Sequence, residues 1–202
     1  MKKIFKILIV IGAIFSATYG KAQDTLQTTS TPNYKSIFFT SQFAGSIGFV
    51  SLGTGVSNRK QTLHHELLYG FVSEAYGGPL NKVTYKISYY PWSVRVSPRV
   101  KWKPFNVTGF AAYHLGKKFT LLHSFKKYDE GYYPWSPALR FHLGASTAVE
   151  WKRNSGHDLL FYLETNTNDL YISTLYDNVG YMNFTDIWFL GMGVKLKLGD
   201  FK

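Results

Sequence analysis

Apolar and polar residues along this chain alternate with a period of two rather than recurring at helical spacing, as strands with two unlike faces require. The longest run is Leu139 to Trp151. Leu139, Phe141, Leu143, Ala145, Thr147, Val149 and Trp151 fall on one face, with Arg140, His142, Gly144, Ser146, Ala148 and Glu150 on the other. Near the C-terminus Trp188, Leu190, Met192, Val194, Leu196 and Leu198 alternate with Phe189, Gly191, Gly193, Lys195 and Lys197. Val83, Tyr85, Ile87 and Tyr89 alternate with Thr84, Lys86 and Ser88, and Leu159, Phe161 and Leu163 with Leu160, Tyr162 and Glu164. Phe105 to Tyr113 alternates after Pro104, whose missing N–H predicts a bulge or change of phase.

Turn-forming residues divide the chain into eight predicted strands, over about 43–56, 62–75, 81–91, 99–115, 119–126, 138–153, 157–175 and 184–199. The connections also differ in kind. Gly77-Gly78-Pro79, Gly116-Lys117-Lys118 and Asn154-Ser155-Gly156 read as tight turns, and those around 57–59, 91–98, 126–137 and 177–183 as longer loops. An even strand number with short turns at one end and long loops at the other predicts an eight-stranded antiparallel up-and-down transmembrane β-barrel.

Alternation does not say which face points inward, but side-chain volume and charge do. An eight-stranded barrel has room inside only for side chains. The face carrying Gly144, Ser146, Ala148, Gly191 and Gly193 with a few ions suits that crowded centre. Its opposite suits hydrocarbon, with aromatics at the interfaces. The residues expected to face lipid are Tyr85, Leu139, Phe141, Leu143, Trp151, Trp188 and Leu190. A soluble lipocalin-like periplasmic barrel is the alternative, with the faces reversed.

Charge and composition agree with the first reading. Only 17% of residues are charged, against roughly 25% in an ordinary soluble domain. The chain has no cysteine, which excludes disulfides, cysteine zinc sites and thiol catalysis. Met1-Lys2-Lys3 and Lys6 precede an apolar run from Ile7 to Phe15 and the triplet Gly20-Lys21-Ala22, the three-part pattern of a secretory signal peptide. The run is too short to cross a bilayer as a helix. Loss of residues 1–22 removes four lysines (Lys2, Lys3, Lys6, Lys21) and no acid, lowering the formal charge from +11 to +7. Residues 23–42 then read as a flexible leader rich in Thr, Ser, Gln and Asn, and 43–202 as the barrel domain.

The Phe43 to Leu52 segment with Gly45, Gly48 and Gly53, the Tyr89-Tyr90-Pro91-Trp92 corner, the Glu164 to Leu170 segment and the alternating last strand together resemble the small outer-membrane β-barrel proteins of Gram-negative bacteria. Leu163-Glu164-Thr165-Asn166-Thr167-Asn168-Asp169-Leu170 resembles a segment of a group within them that lacks an assigned activity. The resemblance implies an outer-membrane location, a monomer, and three partners: the lipid bilayer, lipopolysaccharide and the barrel insertion machinery. The insertion signal would fall to Phe201, since the chain ends Phe201-Lys202 rather than on an aromatic.

Candidate chemistry lies mainly on the presumed inner face. His64, Glu66, Lys86, Arg140, His142, Glu150, Glu164, Lys195 and Lys197 all fall there, and charges in a narrow barrel must pair. They predict an ion-paired plug that sets register, with a proton or ion path as the alternative. No histidine pair has metal-ligand spacing on a helix, and adjacent His64 and His65 point to opposite faces of a strand, so neither a metal nor a cofactor is expected. His142 and Ser146 share a face about 13 Å apart, too far for a nucleophile and its base. The loop aromatics Tyr132, Tyr133 and Trp135 are the most distinctive surface feature. A non-enzymatic role in membrane integrity, surface interaction or small-ligand contact is expected. The alternative from another class is a lipid A modifying hydrolase or acyltransferase using a rim histidine. Nucleic acid is not an expected partner, since the chain reads as exported and has no basic run.

Overall fold

Strands with one apolar and one polar face must hide their polar backbone edges, and a sheet that closes on itself removes those edges altogether. The computed structural model describes residues 34–116, 138–178 and 180–201. It contains β1 (Tyr34–Ala44), β2 (Val50–Asn58), β3 (Leu63–Val72), β4 (Leu80–Tyr89), the two-residue β5 (Val94–Arg95), β6 (Val100–Leu115), β7 (Leu139–Trp151), β8 (Leu159–Asn168) and β9 (Phe189–Asp200). Every pairing is antiparallel. The sheet runs β4-β3-β2-β1-β9-β8-β7-β6, and β4 pairs with β6 to close it; β5 is a ribbon on the start of β6. The result is a closed eight-stranded antiparallel β-barrel.

The strand number agrees with the alternation, but the strands differ in identity. β1 begins at Tyr34, inside the stretch read as a flexible leader, and pairs with both β2 and β9. Its inward side chains Ser36, Phe38, Thr40 and Gln42 are themselves polar or apolar by turns, which blurs the two-residue pattern. The predicted strand 43–56 is two strands joined by a tight turn, in which Ala44, Gly45 and Ser46 all take positive φ. The predicted strand 119–126 lies outside the described residues. The predicted strand 157–175 ends at Asn168, whose side chain caps the short helix α1 (Asp169–Asp177) by accepting from the Tyr171 N–H at 2.9 Å.

The ends of the barrel are regrouped accordingly. At the end holding both termini of the barrel lie the connections 59–62, 90–99 and 152–158; at the far end lie 45–49, 73–79 and 169–188, with the end of β6 and the start of β7. The tight turns at 77–79 and 154–156 are therefore at opposite ends, not one. Pro104 marks the register shift between Lys103 and Asn106 where β6 meets β7, as its missing donor predicts.

Side-chain placement follows the pleat. Glu66 and Leu68 are each 1% exposed, while Leu67 between them is 56% exposed. Tyr85, Phe141, Leu143, Trp151 and Leu190 all face outward and are exposed, and Leu139 is half-buried. Trp188 departs from expectation. It precedes β9, after the 3-10 turn Phe184–Ile187, and sits half-buried against Phe184 with ring centroids 5.4 Å apart.

Candidate functional site

The interior is a set of charged side chains contributed by strands that are not neighbours. Glu66 on β3 accepts from Lys195 Nζ on β9, and its other oxygen accepts from Thr40 Oγ1 at 2.8 Å. Lys195 Nζ also donates to the Tyr90 hydroxyl at 3.0 Å. On the other side of the barrel, Lys86 Nζ on β4 lies 2.6 Å from Glu164 Oε2 on β8 and donates to Gln42 Oε1 at 3.1 Å. The Tyr162 hydroxyl donates to that same amide oxygen at 2.7 Å, and the Tyr162 ring lies near the ammonium groups of both Lys86 and Lys195. Around the ring, β3 and β9 are three strands apart, as are β4 and β8, so each pair crosses the interior.

All four ions are buried, and taking such ions out of water costs several kcal/mol each. The cost is offset by pairing, by the hydroxyl and amide partners, and by aromatic faces. Lys195 Nζ lies 5.3 to 5.4 Å from the ring centres of Phe38, Tyr90 and Tyr162, and Lys86 Nζ 4.9 Å from Tyr162.

Apolar groups pack on both sides of the ions. Tyr90, Ala148, Leu160 and Tyr162 form one cluster, and Ile47, Leu68, Phe110 and Ala112 another. Ile47 comes from the turn between β1 and β2, which folds into the far mouth. Gly70 leaves room for it, since a Cβ there would stand 2.1 Å from the Ile47 carbonyl oxygen. A void bordered by Phe38, His64, Leu160 and Lys195 measures about 30 Å³, close to the volume of one water. The arrangement can hold register and obstruct the barrel axis; a column of water has little space here.

The inward glycines are clearances for larger partners. A Cβ at Gly193 would meet the Tyr162 hydroxyl at 2.4 Å and the Ser41 carbonyl oxygen at 2.8 Å. Gly193→Ala is therefore expected to push Tyr162 off Gln42 and lower stability by about 1–3 kcal/mol, read as a reduced urea midpoint of the protein folded in detergent.

The remaining candidates separate into pairs at the two mouths. Glu150 lies 3.1 Å from Lys103, a partner hidden from sequence reading by the phase change at Pro104. Arg140 is 3.9 Å from Asp169 at the start of α1, and Lys197 bonds Asp200 at 3.0 Å rather than an interior acid. His142 stacks on Phe110 with ring centroids 4.3 Å apart. It borders a far-end cavity of about 280 Å³ with Lys82, His114 and Arg140.

His64 lies between Phe38 and Tyr90, with ring centroids 4.9 and 4.6 Å away, and packs as an aromatic. His65 points outward to the Tyr85 hydroxyl at 2.7 Å. Among the described residues no three His, Asp or Glu side chains gather as a metal site. Tyr132, Tyr133 and Trp135 lie outside the described residues.

Sequence reading missed Thr40, Gln42 and Tyr90, each of which bonds a buried ion, and Lys103, a buried cation paired with Glu150. Gln42 and Thr40 fell in the presumed leader. Tyr90 lies just beyond β4, where alternation stops, although it continues the phase of Lys86 and Ser88.

No protein-family model and no curated protein matches this sequence. Among solved structures the chain is similar to one from the de novo design of transmembrane β-barrels, at 11% identity and a TM-score of 0.40, over 85% of this chain and 100% of that one.

Proposed function

We propose that the protein is an exported outer-membrane β-barrel that stands in lipid with its axis sealed, and that its role is structural or interactive rather than enzymatic. The observation that carries this reading is the inverted surface. A closed barrel whose exterior presents Leu52, Leu67, Ile87, Phe141, Leu143, Phe161 and Leu163 while Lys86, Glu164, Glu66 and Lys195 are buried is arranged for an apolar solvent. Soluble proteins rarely expose a continuous apolar belt. Closure supports the same reading, because lipid cannot satisfy an open sheet edge. The segment Met1 to Ala22 supports export, and with the barrel termini at one end that end would face the periplasm.

Expressed in a Gram-negative host, the protein is expected in the outer-membrane fraction, resistant to carbonate extraction, and faster on gels before boiling than after. Reconstituted into planar bilayers, it should carry no sustained ion current. Recovery from the periplasm without detergent would end the membrane reading.

A further inference from the structure

At the end of the barrel that holds both termini, a cup of about 280 Å³ opens between the 59–62 turn, residues 90–93, the start of β6, the end of β7 and the last strand. Six cations line it: Arg59, Lys60, Lys101, Lys103, Lys152 and Lys197. Only two carboxylates join them, Glu150 and Asp158. Glu150 is engaged by Lys103, and Asp158 Oδ1 accepts from the Arg153 N–H at 3.1 Å. Lys197 takes its acid, Asp200, from its own strand. Arg59, Lys60, Lys101 and Lys152 have no acidic group within 4.0 Å among the described residues. The floor is built from buried groups: Lys103 is 3% exposed, with its Nζ 4.6 Å from the centre of the Tyr90 ring, and Tyr90 bonds Lys195 beneath.

We propose that this cup binds phosphate groups. Unpaired cations held in a concavity with low-dielectric walls focus a positive potential and repel one another, and a bound polyanion relieves both. The cations come from several elements and converge on a blind pocket, so they can surround one ligand rather than line a path. The volume suits a diphosphate or a small phosphorylated compound and is below that of pockets for drug-sized ligands. Arg59 supplies a planar fork matched to phosphate oxygens, and the lysines supply mobile point charges. Two sources share this chemistry: a soluble phosphorylated compound, and the headgroup of an anionic lipid from the adjoining leaflet.

The test uses the full protein folded in an uncharged detergent and titrated with inorganic pyrophosphate by calorimetry. One saturable site is expected, weakened at least about tenfold in Lys101→Gln/Lys152→Gln, since hydrogen bonds to charged groups are the stronger kind. Arg59→Gln, on another wall, should also weaken it. Arg153→Gln removes a cation of the same rim that does not line the cup, and should leave affinity unchanged. No saturable binding, or equal weakening in Arg153→Gln, overturns the proposal. In lipid nanodiscs, pyrophosphate affinity lowered by phosphatidylglycerol relative to phosphatidylcholine identifies the headgroup as occupant, and equal affinity identifies the soluble compound. The detergent titration depends on the cup alone, so its failure would leave the membrane reading standing.

Discussion

Lys195→Met is expected to lower stability by about 3–5 kcal/mol, the range for removing one partner of a buried ion pair. Methionine keeps most of the length and the apolar stem of lysine, so the change removes a charge more than it opens a cavity. What remains is the Glu66 carboxylate, buried, with the Thr40 hydroxyl at 2.8 Å, the Ser88 hydroxyl at 3.4 Å and no strand-crossing cation. Lys86 stands opposite Glu66 in the β3–β4 register, but it is already held by Glu164. Tyr90 loses its contact to Lys195 as well.

The measurement is the urea unfolding midpoint in detergent micelles, with the denaturant slope checked for constancy. Glu66→Gln/Lys195→Met should regain most of the loss, because a neutral amide can keep the Thr40 contact without a buried charge. The signature of an ion pair is this non-additivity, since changes at independent sites simply add. A single variant as stable as the parent would mean that the two side chains do not meet as charges.

Leu67→Arg is the largest effect expected on the outer face. Leu67 is mid-strand in β3, between Thr54 on β2 and Tyr85 on β4, and points away from the barrel. In water such a substitution at an exposed position is within about 0.5 kcal/mol of neutral. In a bilayer an arginine at the midplane of a barrel costs about 2–4 kcal/mol. The same variant thus separates the two solvents. Folding into phosphatidylcholine vesicles, followed by the gel shift between boiled and unboiled samples, should fall sharply for Leu67→Arg. Undiminished folding into vesicles would place the exterior in water and leave the exposed Leu67, Leu143 and Phe161 without a partner.

These two substitutions probe the two halves of one design. The inner half gains its order from ions whose partners lie across the barrel, and the outer half, on the proposed reading, from an apolar solvent. Neither half stands alone. If the outside were wet, the burial of Lys86 and Glu164 would still cost desolvation without the apolar exterior gaining anything. If the inside were unpaired, the closed sheet would hold isolated charges in a low dielectric.

What could be read from sequence was whatever depends on residues close together along the chain. The alternation from Leu139 to Trp151 is local, because the pleat turns successive side chains to opposite faces, and it placed Phe141 and Leu143 outside and Gly144 and Ser146 inside. Pro104 announced the bulge for the same reason: a missing N–H acts on its own strand. α1 was misread although Asn168-Asp169 is a capping signal, because the alternation before it was carried on past the cap.

By itself, then, the sequence determined a barrel-forming set of two-faced strands and the sign of each face. Which strand came first, which turns shared an end, and which ion met which were decided only in three dimensions. Glu66 reaches Lys195 across three strands and 129 residues of chain, and Lys86 reaches Glu164 likewise on the other side. Those meetings depend on register, closure and the inward clearance at glycines such as Gly193, none of which is a property of any short segment.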